Sequence, residues 1–234
     1  MKIWVCLFSL ALLFESCNKE KKECPGASEK SFAISGFTRV NAGDAHHINI
    51  TKGNEFSIKA NGCTSDLNDL DLTLDANQVL DIQYKNYNPN RYRVDFTITM
   101  PQLIATNLSG AAKGTINGFG GQNTVMRTVL SGASECTVSG TGINASIDLS
   151  GASKLILSGN TESLYGNISG ASRLEAYNVA ATEVDISVSG SSNAYVRPLQ
   201  FFFAEATGSS HIYYKGNPTT KHFETSGNGK IIQE

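Results

Sequence analysis

Apolar and polar residues alternate one by one along most of this chain. Ahead of Ser150, Leu149, Ile147 and Ala145 are separated by Asp148 and Ser146. Ahead of Ser169 the set is Ile168, Gly166 and Leu164, and ahead of Ser189 it is Val188, Ile186 and Val184. A period of two marks a strand with one buried face. Past a short stretch of small residues a second alternating run begins: Cys136 and Val138, Leu155 and Leu157, Leu174 and Ala176, Ala194 and Val196, Ile212 and Tyr214. Another turn signal follows at Ser139-Gly140, Ser158-Gly159 and Gly216-Asn217. Each unit therefore predicts strand, tight corner, strand, corner, and no helical period intervenes.

The small-residue corner recurs. "LSGAA" at Leu108 is followed by "LSGAS" at Leu130 and Leu149, "ISGAS" at Ile168, "VSGSS" at Val188, "ATGSS" at Ala206 and "TSGNG" at Thr225, at intervals of 22, 19, 19, 20, 18 and 19 residues. Seven copies at a period near 19 predict a solenoid, in which each repeat buries its apolar face only against its neighbours. The expected fold is all-β: a single-stranded right-handed parallel β-helix over residues 101–234, its strands about 4.8 Å apart and its column on the order of 30 Å long. Gly110, Gly132, Gly151, Gly170, Gly190, Gly208 and Gly227 occupy the corners, where an unusual φ and close backbone stacking favour glycine. Cys136 shares an inward column with Leu155, Leu174 and Ile212, which makes it a buried free thiol acting as a small hydrophobe.

Residues 31–100 lack the corner motif but keep β signals. His47-Ile48-Asn49-Ile50 alternates, "LDLTLDANQVLDIQY" pairs two strands across Asp75–Gln78, and "YRVDFTITMP" supplies another, its partner expected across the loop "KNYNPNR". This part is expected to cap or begin the same body, since a first turn otherwise exposes an unpaired edge.

The start of the chain has a different character. Met1 and Lys2 precede an uncharged apolar run from Ile3 to Phe14, too short to span a membrane and the right length for a signal-peptide core. It ends in "LLFESC", which resembles a bacterial lipobox and implies cleavage before Cys17 and lipidation of that residue. Phe14 and Glu15 depart from the usual lipobox residues, so a secretory signal cut elsewhere or an uncleaved anchor is the alternative. Residues 1–16 are thus the expected signal peptide, 17–30 a charged tether and 31–234 the folded head. Cys24, Cys63 and Cys136 then remain; an oxidising envelope permits a Cys24–Cys63 bridge without demanding one.

Composition narrows the function. The net charge is −2 with 17% charged residues, so there is no basic field for nucleic acid. Two residues ahead of each motif serine the outward column reads Asn107, Val129, Asp148, Asn167, Ser187, Glu205, Glu224, and only the last two are adjacent carboxylates. That is thin for acid–base catalysis. His46 and His47, expected on opposite faces of a strand, have no Cys or carboxylate at ligand spacing. The motif serines have no paired base, and the glycines open no phosphate-binding helix. No catalytic residue, metal or cofactor is assigned.

Several motifs in order, "GFTRVNAGDAHHINITKGN", "ITMPQLIATNLSGAAKG", the repeated "LSGAS" and "YYKGNP", resemble the auto-transporter adhesin head domain, the GIN-like domain found mostly in envelope lipoproteins of Bacteroidota. The likeness spans residues 31–234. It implies a β-helical, non-catalytic envelope protein at the outer membrane, on its periplasmic or outer side, and brings no binding residues with it. In such lipoproteins a charged stretch after the lipidated cysteine is also linked to surface export; simple spacing explains it equally well.

Two outward features are the candidate ligand surface. Four residues past each motif serine (or the threonine replacing it), Lys113, Glu135, Lys154, Arg173, Asn193, His211 and Lys230 form a mostly basic stripe. Tyr195 and Tyr213 share the next outward column, and Tyr84, Tyr87 and Tyr92 flank the "KNYNPNR" loop. Lys154, Arg173, Tyr195 and Tyr213 are the residues picked for a glycan or an envelope protein. A solvated face and ordinary stacking between turns explain them as well. The expected partners are the membrane, through lipid on Cys17, and a glycan or protein; the alternatives are a carbohydrate-active β-helix enzyme and a purely structural or stress-associated envelope protein.

Overall fold

Alternation becomes a sheet because each turn of chain lays its strands on the previous turn in register. In the computed structural model, which describes Cys24, residues 26–121, Asn123 and residues 125–234, β8 (Ala105–Leu108), β10 (Val125–Leu130) and β12 (Asn144–Leu149) pair in parallel. The stack continues through the second halves of β13 (Lys154–Ile168) and β14 (Arg173–Val188), then β16 (Pro198–Ala206) and β18 (Thr220–Thr225). This is face A. Face B stacks β9 (Lys113–Asn117), β11 (Glu135–Ser139), the first halves of β13 and β14, β15 (Asn193–Val196), β17 (His211–Tyr214) and β19 (Lys230–Gln233), again in parallel. The repeats therefore form the expected β-solenoid, of about 7 turns.

Two further levels precede the motif-bearing ones. Strand β2 (Arg39–Ala42) lies between β8 and β6 (Val79–Tyr84), and β3 (His47–Lys52) lies between β9 and β7 (Asp95–Met100). Order along the stack thus departs from order along the chain: β6 and β7 are outermost, and the earlier β2 and β3 sit inside them. Antiparallel strands close this end. β1 (Ala27–Phe32) pairs with β4 (Ser57–Cys63), β4 with β7, and β5 (Leu70–Leu74) with β6.

Three features depart from the expectation. The folded body begins at Ala27, inside the segment read as tether 17–30. No side chain of β1 is fully buried, so no hydrophobic pattern announces it; backbone pairing to β4 and the Cys24–Cys63 disulfide hold it. The partners of β7 are β3 and β4, not the strand across "KNYNPNR", because β6 and β7 belong to different faces of one level. A six-residue helix, α1 (Thr64–Asp69), joins β4 to β5 and buries Leu67, too briefly to leave a helical period.

The corner is a backbone ladder. At each level the residue after the glycine donates its N–H to the glycine carbonyl one turn earlier: Ala133 to Gly110, Ala152 to Gly132, Ala171 to Gly151 and Ser191 to Gly170, all at 2.7 Å. Gly132 has φ 69°, and a Cβ there would lie 2.6 Å from the Gly110 carbonyl oxygen. The last motif position is buried too. Ser134, Ser153, Ser172, Ser192 and Ser210 line up inside the corner, where Ser134 and Ser210 donate to the carbonyls of Leu108 and Val188 and the Ser153 and Ser172 hydroxyls meet at 3.2 Å. A buried hydroxyl with a partner avoids the desolvation cost of an orphaned one.

Inward columns fill the rest of the core. Ile147, Leu149, Leu155, Leu164, Ile168, Leu174, Ile186 and Val188 are buried, as is Cys136, a free thiol whose pKa burial pushes up to about 12. Gly166 interrupts the column between Ile147 and Ile186 at φ 150°, where a Cβ would lie 1.9 Å from the Ile147 carbonyl oxygen. Steric exclusion at these two glycines predicts the order of mutational damage. Gly132→Val and Gly166→Ala should each cost about 2 kcal/mol or more, lowering the melting temperature by many degrees. Ser131→Ala, which leaves the backbone carbonyl that accepts from Ser134, should shift it by only a degree or two; three similar small shifts in thermal melts would refute the corner and column assignments.

Candidate binding surfaces

The basic stripe is a true column. Cross-strand register runs His47, Lys113, Glu135, Lys154, Arg173, Asn193, His211 and Lys230. Its central charges are internally matched. Lys113 reaches Glu135 at 3.0 Å, and Lys154 and Arg173 both reach Glu175, at 3.2 and 2.7 Å. The hydrogen bond between Arg173 and Glu175 raises the guanidinium pKa and lowers the carboxyl pKa. Exposed pairs of this kind contribute at most about 1 kcal/mol each, but they cancel the local field that an anionic ligand would need. At the near end His47 sits 3.4 Å from Asp95, and burial and the neighbouring Arg93 lower its pKa.

Tyr195 and Tyr213 do stack, with centroids 5.0 Å apart and planes 9° from parallel. Stacking along the solenoid axis uses up ring faces. Arg173, one level earlier, lies over Tyr195 at 4.3 Å and donates to its hydroxyl, while Tyr213 covers Tyr195 from the level after. Tyr177 meets the edge of Tyr195 at 88°, lies under Lys215 and donates to Glu234 at 2.7 Å. Structure thus brings Arg173, Tyr195 and Tyr213 together with Lys154 close by. What this cluster offers solvent is mostly ring edges and paired charges.

A second cluster lies at the capped end. His46 stands in the corner of β2 and β3 rather than on a strand, at the position that Ala112 and the buried serines fill elsewhere. Its N–H donates to the Gly43 carbonyl just as that of Ala112 donates to Ser109. The ring is 1% exposed, sits against Tyr84 and Phe96 at 5.0 and 5.2 Å, and neither ring nitrogen has a hydrogen-bond partner among the described residues. Arg91 packs over Tyr84 at 3.6 Å and pairs with Asp66 and Asp69, and Asp66 also accepts the Tyr92 N–H. Tyr84 is therefore a half-buried part of the cap, whereas Tyr87 is 92% exposed.

Face A carries a surface that the alternation argument passed over. Between β13 and β18 its outward positions form a grid: Ser163, Tyr165 and Asn167; Glu183, Asp185 and Ser187; Phe201, Phe203 and Glu205; Thr220, His222 and Glu224. Tyr165, Phe201 and nearby Leu199 are 38%, 40% and 44% exposed. The sequence signal was "FFF" at Phe201–Phe203: in a strand of period two only Phe202 can point inward, and it is fully buried. Glu183 and Asp185 have no side-chain hydrogen bond or ion pair among the described residues. Ser187 donates to Glu205, and His222 contacts Glu224 at 3.1 Å. A shallow groove runs along Asn144, Ser163, Tyr165, Glu183 and Asp185.

These surfaces are open grooves and flat faces. Among the described residues no three His, Cys, Asp or Glu side chains converge as a metal site would require, and no helix is long and apolar enough to cross a membrane. Cys17 lies outside the described residues.

Comparison with known proteins fits this architecture. A family model described as "Putative auto-transporter adhesin, head GIN domain" matches residues 36–218. Three crystal structures share the fold. One, described as a putative adhesin from Bacteroides fragilis NCTC 9343, has a TM-score of 0.81 and 21% identity, covering 90% of this chain and 98% of its own. Another, a putative adhesin from Parabacteroides merdae ATCC 43184, has a TM-score of 0.65 and 18% identity, covering 90% and 97%. A third, a "putative lipid binding protein" from Parabacteroides distasonis ATCC 8503, has a TM-score of 0.62 and 14% identity over the same shares. No curated protein matches the chain.

The buried imidazole predicts acid sensitivity. Burial lowers the His46 pKa from 6.5 to about 4; Asp44 and Asp66 favour its protonation, and Arg91 opposes it. The folded state therefore resists a proton that the unfolded chain accepts readily. Stability should be full above about pH 6.5 and fall as pH drops toward 4, by up to about 3 kcal/mol. His46→Phe keeps a ring between Tyr84 and Phe96 and should flatten that part of the profile. Equal slopes for both proteins in urea titrations between pH 7 and 4.5 would refute this origin.

Proposed function

We propose, for a chain that belongs to the auto-transporter adhesin head GIN domain family, a non-catalytic binding role in the cell envelope, exercised through face A by a head anchored by lipid on Cys17. The exposed aromatic and acidic grid from Tyr165 to Glu224 carries this reading. Large apolar side chains left partly exposed beside one another on the outward face of a sheet mark an interaction surface. A glycan or a protein are the two classes of ligand such a surface takes.

The rest of the molecule supports the same reading. Stacked turns give a stiff, flat platform on which outward residues hold fixed spacings, which suits recognition of an extended partner. Glu205 and Glu224 are neighbours on a flat, exposed face, in contact with Ser187 and His222, and lack the enclosed setting of a catalytic acid. The apolar run before Ser16-Cys17 supplies the export signal, and the disulfide at Cys24 joins the segment after Cys17 to the cap.

In cells, the wild-type protein should fractionate with membranes and Cys17→Ala should not. Protease treatment of intact cells should remove the wild-type head if it faces outward. Tyr165→Ser combined with Phe201→Ser should reduce adherence of such cells to matrix proteins, host cells or glycan-coated surfaces several-fold while leaving the melting temperature within a few degrees of wild type. Unchanged adherence with both substitutions, or a head untouched by protease, would sink the adhesive reading.

A further inference from the structure

We infer that the face A grid docks a cationic polypeptide, a partner segment rich in Arg and Lys; this rests on the binding role proposed above and names its ligand class. The two faces handle charge in opposite ways. On face B the central cations of the stripe are answered by Glu135 and Glu175 from this chain. On face A the outward positions of the four levels from β13 to β18 hold Glu183, Asp185, Glu205 and Glu224 and no Lys or Arg; Lys221 of β18 takes the inward register of Phe202 and lies over Tyr214. Two of these carboxylates, Glu183 and Asp185, are left without a partner among the described residues.

Register supplies the geometry. Asp185 lies directly between Tyr165 and Phe203 in one column, and Glu183 lies between Ser163 and Phe201 in the next. Levels are about 4.8 Å apart, so each carboxylate is flanked within reach by an exposed ring. A lysine or arginine is complementary to that pattern: its aliphatic stem lies along the rings, its charged head meets the carboxylate, and the ring faces attract the cation as well. Two columns side by side suit an extended segment that presents alternate residues. A second copy of this face would set four carboxylates against four, and an acidic glycan would be repelled in the same way. Charge complementarity therefore selects the cationic partner.

The test uses the purified full chain and three probes: a fluorescent (Arg-Gly-Lys-Gly)3 peptide, the same peptide with Glu at the charged positions, and dextran. The basic peptide should bind at 100 mM salt and weaken at least tenfold at 500 mM, because the contact is exposed to screening. Glu183→Gln with Asp185→Asn should weaken it at least tenfold, and Tyr165→Ser with Phe203→Ser at least threefold. As a charge control, Asp71→Asn with Asp75→Asn on the cap should leave it within twofold. Equal loss from the control pair would reduce the effect to bulk charge and overturn the proposal. So would failure of the basic peptide to bind, or binding that ignores both face A pairs. Dextran binding that is lost with Tyr165→Ser would overturn the cationic class yet leave face A as a binding surface. Self-association abolished by Glu183→Gln would replace the partner with a second copy. Failure of the adhesive role itself would show separately, as cell adherence indifferent to every face A substitution.

Discussion

Every column in this protein depends on one contact, the hydrogen bond from the corner N–H to the glycine carbonyl one turn earlier. At 2.7 Å from Ala133 to Gly110 and again at successive levels, it brings backbone so close to backbone that a Cβ would collide. From Gly132 onward only a residue without one, tolerant of positive φ, can stand there. Once the corners are superposed, no freedom of register remains. The inward residues must then match their equivalents one turn away, and the outward residues must form straight lines. Ion pairs, the tyrosine stack and the face A grid all follow from that alignment.

A parallel solenoid also decides what an outward aromatic can do. Where two rings occupy the same column in adjacent turns, as Tyr195 and Tyr213 do, they cover each other, and the protein gains stacking while losing a platform. Where a carboxylate separates them, as Asp185 separates Tyr165 from Phe203, the rings stay apart, Tyr165 exposed and Phe203 partly so. Similar residues thus become cohesive on one face and available on the other, depending on what the intervening turn holds. Charges behave likewise. Glu175 falls within reach of both Lys154 and Arg173, while Glu183 and Asp185 fall near no cation.

Much of the fold was legible because it repeats. Seven glycines in a common context expose the period, and period-two alternation sorts inside from outside without any knowledge of contacts. Cys136 was placed correctly by its column alone. Elements held by something other than buried apolar side chains were harder to see. Strand β1 depends on backbone pairing and a disulfide, α1 is shorter than two helical turns, and the partner of β7 follows from which face it joins. His46 looked like half of a histidine pair because its corner, with Gly43 and Asp44, lacks the serine-glycine spelling; Asp44 takes positive φ where the other corners use glycine. Surface sites were the least legible. Identity alone distinguishes neither a covered ring from a free one nor a matched charge from an unmatched one, and the "FFF" run was the one overt sign.

The position of β2 and β3 has a consequence for how the molecule comes into being. A simple solenoid can grow as it is synthesised, each new turn adding to a finished edge. Here the level formed by residues 39–52 is made early yet is enclosed by β6 and β7 on one side and β8 and β9 on the other, both made later. One of its edges can be covered once the chain has reached residue 100 and the other only at residue 117, and β6 and β7 must arrive on the side away from the direction of growth. From there on each turn closes on a completed neighbour. The topology therefore has two parts, a start whose levels are completed out of chain order and a run of turns each laid on the one before.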